Sequence, residues 1–152
     1  MRKGFEVTPQ LRRKINTLAK KVGCPLNWRR SCGIQWNGKD TACKGEDASN
    51  IIHDIAHFAL ASKKERKHLD FGLGASPSTK VSEWDNPKLK SLYGGETSSD
   101  KEQEASALGI YWEKQLGLPW EDTADYHSWD DKELLKSFWK NLGRLIRKIN
   151  RQ

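Results

Sequence analysis

The sequence predicts a mainly helical α+β domain with a small sheet. Three observations lead there: three long stretches with apolar residues at helical spacing, a short stretch broken by Pro25, Gly33, Asn37 and Gly38, and no Pro/Gly/Ser tract long enough to divide the 152 residues. A single domain over 1–152 with basic helices at both ends is the expectation.

The first helix follows Thr8-Pro9. Proline suits the first helical position, Leu11, Ile15 and Leu18 recur at helical spacing, and Gly23 supplies a terminator. Between Cys24 and Lys44 the best candidate strand is GIQW and the likeliest turn sequence is WNGKD, so a small hairpin or sheet edge is expected. EDASNIIHDIAHFALAS opens with capping residues and then sets Ile51, Ile52, Ile55, Phe58 and Leu60 among alanines, the pattern of a buried helix.

A charged stretch, KKERKH, and a Gly- and Pro-containing loop, DFGLGASPSTK, come next. A loop beside a metal-bearing helix is a common source of substrate contacts, which makes Asp70, Phe71 and Gly72 candidates. Ser98 or Ser99 is the expected cap of a second core helix, DKEQEASALGIYWEKQLG, with Leu108, Tyr111, Trp112 and Leu116 for burial and Gly117-Leu118-Pro119 as its stop. Ser128 is placed to cap a last helix running to the end of the chain, acidic in its first turn and basic in its last.

Composition narrows the function classes. Hydrophobic residues make up only 36%, yet seven tryptophans bring enough apolar area for a compact core. No apolar run approaches the roughly 20 residues that span a bilayer, and MRKGFEVTPQ has no apolar signal core, so no membrane partner and a cytoplasmic location are expected. Cys24, Cys32 and Cys43 are odd in number and lack C-x-x-C spacing, which argues for reduced thiols over a disulfide framework or zinc knuckle. A net charge of +7 favours an acidic partner: an acidic protein, nucleic acid or a ribosome. Lys140, Arg144, Arg147 and Lys148 near one end, and Arg12, Arg13, Lys20 and Lys21 near the other, are the residues that would track phosphates.

The chemistry centres on His53 and His57. Four residues apart on a helix, their rings project from one face about a turn apart and can grip one divalent metal ion. A third ligand must come from elsewhere, and in catalytic sites a carboxylate that leaves positions open is usual. Asp100, Glu102 and Glu104 supply candidates. Glu102 is favoured because Ala105 and Ser106 are small enough to let its helix approach the histidines, with Glu104 in reserve. Asp54 stands where H-E-x-x-H zinc peptidases carry their general base. Its side chain is shorter by one methylene, which withdraws the carboxylate by roughly 1.5 Å from a water it must reach within about 3 Å. It is the catalytic candidate, as a base acting through a second water or as an orienter of a ligand histidine. Tyr111, Trp112 and Trp120 fit plain core better than a substrate pocket, and His68 and His127 are left outside the site.

HDIAHFALASKKERKHLDFGLGASP resembles the metal segment of bacterial elongation factor P hydroxylases. The resemblance is carried by His53, Ile55, Ala56 and His57, then Ala61, Arg66, the triplet Asp70-Phe71-Gly72 and Pro77, without a gap. ALGIYWEKQLGLPW resembles the helix after that family's third ligand, which puts Glu102 at the ligand position. The Glu102 to Ala105 spacing is also similar to the third-ligand helix of gluzincin-type peptidases. Together these stretches cover roughly a third of the chain. Asp54 replaces the family's glutamate, and Gly74 with its small neighbours replaces an aromatic run.

The resemblance implies a zincin-like fold whose two-histidine, one-carboxylate site serves oxygen-dependent hydroxylation of a modified lysine on a translation factor. Iron(II) in such a cage leaves positions for dioxygen and substrate, whereas zinc would polarise water for hydrolysis; imidazole and carboxylate accept both. A basic protein that binds nucleic acid or ribosome without catalysis is the remaining expectation.

Overall fold

In the computed structural model, residues 4–31, 35–67, 98–127, 129, 132–143, 146 and 147 are described. Their elements run α1 (Pro9–Val22), β1 (Leu26–Ser31), β2 (Thr41–Lys44), α2 (Ala48–Leu60), a 3-10 turn (Glu65–Lys67), α3 (Ser98–Gln115), α4 (Trp120–Tyr126) and α5 (Lys132–Asn141). The mainly helical α+β architecture with a two-stranded sheet is therefore as expected.

Local chemistry sets the ends of α1. Thr8 Oγ1 accepts from the Leu11 amide at 3.1 Å, Pro9 opens the helix, and Gly23 at φ 85° sends its N–H back to the carbonyls of Ala19 and Lys20. Only glycine takes that left-handed conformation without strain. Leu11, Ile15, Leu18 and Ala19 then face the core.

A small sheet forms in the expected stretch, but not as a hairpin. β1 and β2 pair in parallel, Leu26 with Thr41 and Asn27 with Ala42. GIQW contributes a single antiparallel bridge, Trp36 to Thr41; residues 32–34 lie outside the described set. The WNGKD turn does form, because Asn37 Oδ1 accepts from the amides of both Lys39 and Asp40 at 2.9 Å while Gly38 takes φ 90°. Arg30 holds the turn from beneath. Its guanidinium donates to Asp40 Oδ1 (2.9 Å) and to the carbonyls of Asp40 (2.7 Å) and Gln35 (2.8 Å).

Asp47 caps α2 by accepting from the Asn50 amide at 2.8 Å. Ile51, Ile52, Ile55, Ala56 and Phe58 are buried along this helix, and they join Leu11, Ile15, Trp36, Leu108 and Trp112 in the larger of two apolar clusters. At the far end of α2, Ser62 and Glu65 form a reciprocal capping box that starts the 3-10 turn, with Glu65 Oε1 accepting from the Ser62 amide (2.8 Å) and Ser62 Oγ from the Glu65 amide (3.2 Å).

Arg66, on that turn, lays its guanidinium over the Phe58 ring at 3.9 Å and donates twice to the Phe58 carbonyl, at 3.0 and 2.8 Å. The Phe58 carbonyl also accepts a long bond from the Ala61 amide at 3.3 Å, and a cation there meets the negative end of the helix dipole. Burial pulls the Arg66 pKa below the usual guanidinium value. The backbone carbonyl of Arg66 in turn accepts from Trp36 Nε1 at 2.9 Å, so the 35–40 turn, the 3-10 turn and the end of α2 are tied together.

α3 begins at Ser98, so both serines offered as caps lie inside its first turn. It ends as expected: Gly117 sits at φ 77° and the Leu118 amide reaches back to the Glu113 carbonyl at 2.9 Å. α4 is an element the sequence reading did not separate. It carries Thr123 and Ala124 into the second cluster region, beside Ala107, Ile110, Trp129, Leu135 and Trp139. Two tryptophan N–H groups serve this cluster, Trp129 to Ser106 Oγ (3.0 Å) and Trp139 to the Ala107 carbonyl (2.6 Å). Ser128, the expected cap of the last helix, lies outside the described residues; α5 spans Lys132–Asn141, with the Leu142 amide bonded to Phe138 and that of Ile146 to Leu142.

Candidate metal centre

α2 brings His53 and His57 together. Their Nε2 atoms are 3.0 Å apart and the rings meet edge to face at 4.6 Å between centroids. His57 is buried, His53 half-buried. At this distance either one ring donates its Nε2–H to the other, or both lone pairs address a common cation. Two nitrogens each about 2.1 Å from one ion and 3.0 Å from each other subtend about 90° at it, the angle of adjacent octahedral positions; a tetrahedral ion would spread them to about 3.4 Å. By distance alone, the two nitrogens match adjacent octahedral positions more closely than tetrahedral ones.

The helix that carries the candidate carboxylates packs directly on this site. A Cβ placed on Gly109 of α3 would stand 3.4 Å from His53 Cα and 3.7 Å from its nitrogen, so α3 approaches the backbone of α2 at the first histidine. Ala105, one turn earlier, is fully buried in the same cluster. The close approach expected from small residues is present, but Ala105 and Gly109 make it. Ser106 faces the second cluster, where it accepts from Trp129.

Glu102 lies on α3 one turn before Ala105 and two turns before Gly109; its side chain is outside the described set. Among the described residues, no three His, Cys, Asp or Glu side chains gather in a way that could hold an ion. Glu104, the reserve ligand, and Asp54 are both described, so neither completes a triad with the two histidines. Asp54 is buried, and with the Gln35 amide oriented nitrogen inward it accepts from that nitrogen at 3.1 and 3.3 Å. The carboxylate is thus engaged with the 35–40 turn.

The residue that sequence reasoning set aside is His127. It ends α4, and its ring stacks on His53 with 5.7 Å between centroids and 11° between planes; Tyr126 meets His127 edge-on at 5.2 Å. The only signal that singles it out is tertiary, since it stands 74 positions along the chain from His53 on a helix that the apolar pattern does not reveal. Tyr111, Trp112 and Trp120 are packing residues, as expected: Trp112 is 2% exposed, and Tyr111 and Trp120 both meet the Trp139 ring at T-shaped angles.

Asp70, Phe71 and Gly72, and His68, lie outside the described residues, as do Arg144 and Lys148. Lys140 and Arg147 are exposed. Cys24 and Cys43 are buried free thiols, each pushed up to about 12 chiefly by desolvation, which leaves them protonated and unreactive at neutral pH. No helix among the described residues is long and apolar enough to cross a membrane. No family model, curated protein or solved structure matches the chain.

Proposed function

We propose that this chain is a metal-dependent hydroxylase in which His53 and His57 of α2 and Glu102 of α3 hold one iron(II) ion. The observation that carries the reading is the 3.0 Å between the two Nε2 atoms, which suits adjacent octahedral positions better than tetrahedral ones. Iron(II) held by two histidines and one carboxylate would supply open positions for dioxygen and substrate.

The protein's own residues supply the frame. Burial of α2 fixes the two rings in one register, and the glycine contact at position 109 holds the carboxylate-bearing helix against them. His127 covers a face of the His53 ring and restricts its rotation. Asp54 acts as a brace: its carboxylate, shared with Gln35, fixes α2 against the 35–40 turn. A carboxylate so engaged is a poor general base, which ranks zinc-dependent peptide hydrolysis second. The substrate class, a lysine-bearing translation factor in the cytoplasm, follows from the resemblance of residues 53–77 and from the complement of a +7 chain to an acidic protein.

Anaerobic reconstitution with iron(II) and elemental analysis of the washed protein is the test. One equivalent is expected in the parent chain, with loss in His57→Ala and in Glu102→Gln. A parent chain that retains no ion, or variants that retain it equally, would refute the assignment.

A further inference from the structure

Six acidic residues lie between positions 4 and 67, and the fold uses most of them locally. Asp40 is paired with Arg30, Asp47 caps α2, Asp54 meets Gln35 and Glu65 closes the capping box. Their charges are turned inward or bound to neighbouring groups, while the described cations of the same segment other than Arg30 and Arg66 stay exposed.

α1 shows the result most sharply. Its 14 residues contain no acid, and Arg12, Arg13, Lys14, Lys20 and Lys21 are all exposed. Among the described residues, Arg13, Lys20, Lys21 and nearby Arg29 make no ion pair. Lys20 and Lys21 agree with the helix dipole, but Arg12 and Arg13 close to the N-terminus oppose it. A placement that works against local stability, with no ion pair from Arg13 among the described residues, points to a demand from outside the fold.

A planar element sits among these charges. Trp28 Nε1 donates to Asn16 Oδ1 at 2.8 Å, which anchors the indole on the flank of α1, and the Arg12 guanidinium lies over its ring at 4.5 Å. Phosphates demand mobile cations, and bases demand planar surfaces; guanidinium and indole planes both stack on bases.

We propose that the face formed by α1 and Trp28 binds single-stranded nucleic acid, with Arg13, Lys20, Lys21 and Arg29 on the phosphates and a base adding to the Arg12–Trp28 pair. Complementary charge argues for a polyanion, and the anchored indole with its overlying guanidinium argues for unpaired bases over a duplex, whose bases are already covered. The inference is independent of the metal centre.

Fluorescence anisotropy of a labelled oligouridylate against the full chain tests it. Four phosphate contacts on a single strand give a salt slope of about −3, or roughly a 50-fold loss of affinity between about 50 and 200 mM salt. The triple variant Arg13→Glu, Lys20→Glu, Lys21→Glu, checked for an unchanged far-ultraviolet spectrum and melting temperature, should lose at least tenfold and flatten the slope. Arg12→Gln should weaken the oligouridylate several-fold while leaving an abasic strand of the same length unaffected. Reversal of Lys136 on α5, which pairs with Glu133, should leave affinity within twofold. The proposal is overturned by affinity within twofold of the parent in the triple variant, by a duplex that binds more tightly than the single strand, or by greater loss from the α5 reversal than from α1.

Discussion

Substituting alanine and then valine at Gly109 and at Gly143 puts the same groups into two different surroundings, and the valine difference measures how tightly α3 rests on the histidine helix. At 109 the new Cβ meets His53 Cα at 3.4 Å, His53 N at 3.7 Å and the Ile52 carbonyl at 3.8 Å, all backbone atoms of a buried helix that cannot rotate aside. At 143 it meets the Arg147 guanidinium at 3.4 Å, the far end of a flexible chain. Alanine gains about 1 kcal/mol over glycine in a helix interior, while forcing extra volume into a packed core costs about 1 to 3 kcal/mol.

Gly109→Ala brings its methyl to ordinary van der Waals distance and should be neutral to about 1 kcal/mol stabilising, whereas Gly109→Val has two further carbons to fit against the α2 backbone and should cost about 1 to 3 kcal/mol. At position 143, past the end of α5, the same valine has only the Arg147 side chain to displace and should cost less than about 1 kcal/mol. For a chain of this size each kcal/mol moves the melting temperature by about 2 to 4 °C, so circular-dichroism melts resolve the pair easily. A Gly109→Val variant as stable as Gly143→Val would show that α3 does not bear on His53, and the argument for a carboxylate delivered by that helix would fall with it.

Other outcomes follow from single contacts. Asp47→Ala removes the cap of α2 and should cost about 1 kcal/mol in urea denaturation, with Asp47→Asn recovering most of it. Cys24, ordinarily near 9.0 and held near 12 in the fold, binds its proton more tightly when folded; its contribution is complete below pH 9 and declines above it by about 1.4 kcal/mol per pH unit, so the denaturation midpoint should drop between pH 9 and 12 and Cys24→Ala should blunt the drop. Native Cys24 should also resist alkylation at pH 8, and rapid modification there would contradict its burial. His127→Ala frees one face of the His53 ring and should weaken metal binding in a chelator competition by a factor of about 2 to 10, with His127→Phe restoring it; equal affinity in all three chains would deny His127 a positioning role.

What could be read from the sequence is what neighbouring residues decide among themselves. Thr8-Pro9 and Gly23 bound α1, Asp47 opens α2 and Gly117 closes α3 because cap and turn chemistry acts within four or five residues. The histidine pair was readable for the same reason, its spacing being a property of one helix. The parallel sheet was not: neither LNWRRS nor TACK alternates apolar and polar residues cleanly, and their pairing spans the whole 32–40 stretch.

α4 was missed because WEDTADY is short and polar, with Trp120 as its one large apolar residue, and is held in place by the tryptophan cluster of α3 and α5. That omission hid His127, whose place beside His53 exists only once α4 is docked. The smallness of Ser106 suggests a site of helix contact, but its hydroxyl serves Trp129 and the contact falls at Gly109.

The tie among Trp36, Phe58 and Arg66 bears on how this protein can change over generations. Arg66 uses its side chain twice on the Phe58 carbonyl and once on the Phe58 ring, and offers its own carbonyl to Trp36. Lysine has neither the fork nor the plane to replace it. Lineages descended from this sequence are expected to keep the three positions together or exchange them in concert, and drift at one should leave its trace in the other two.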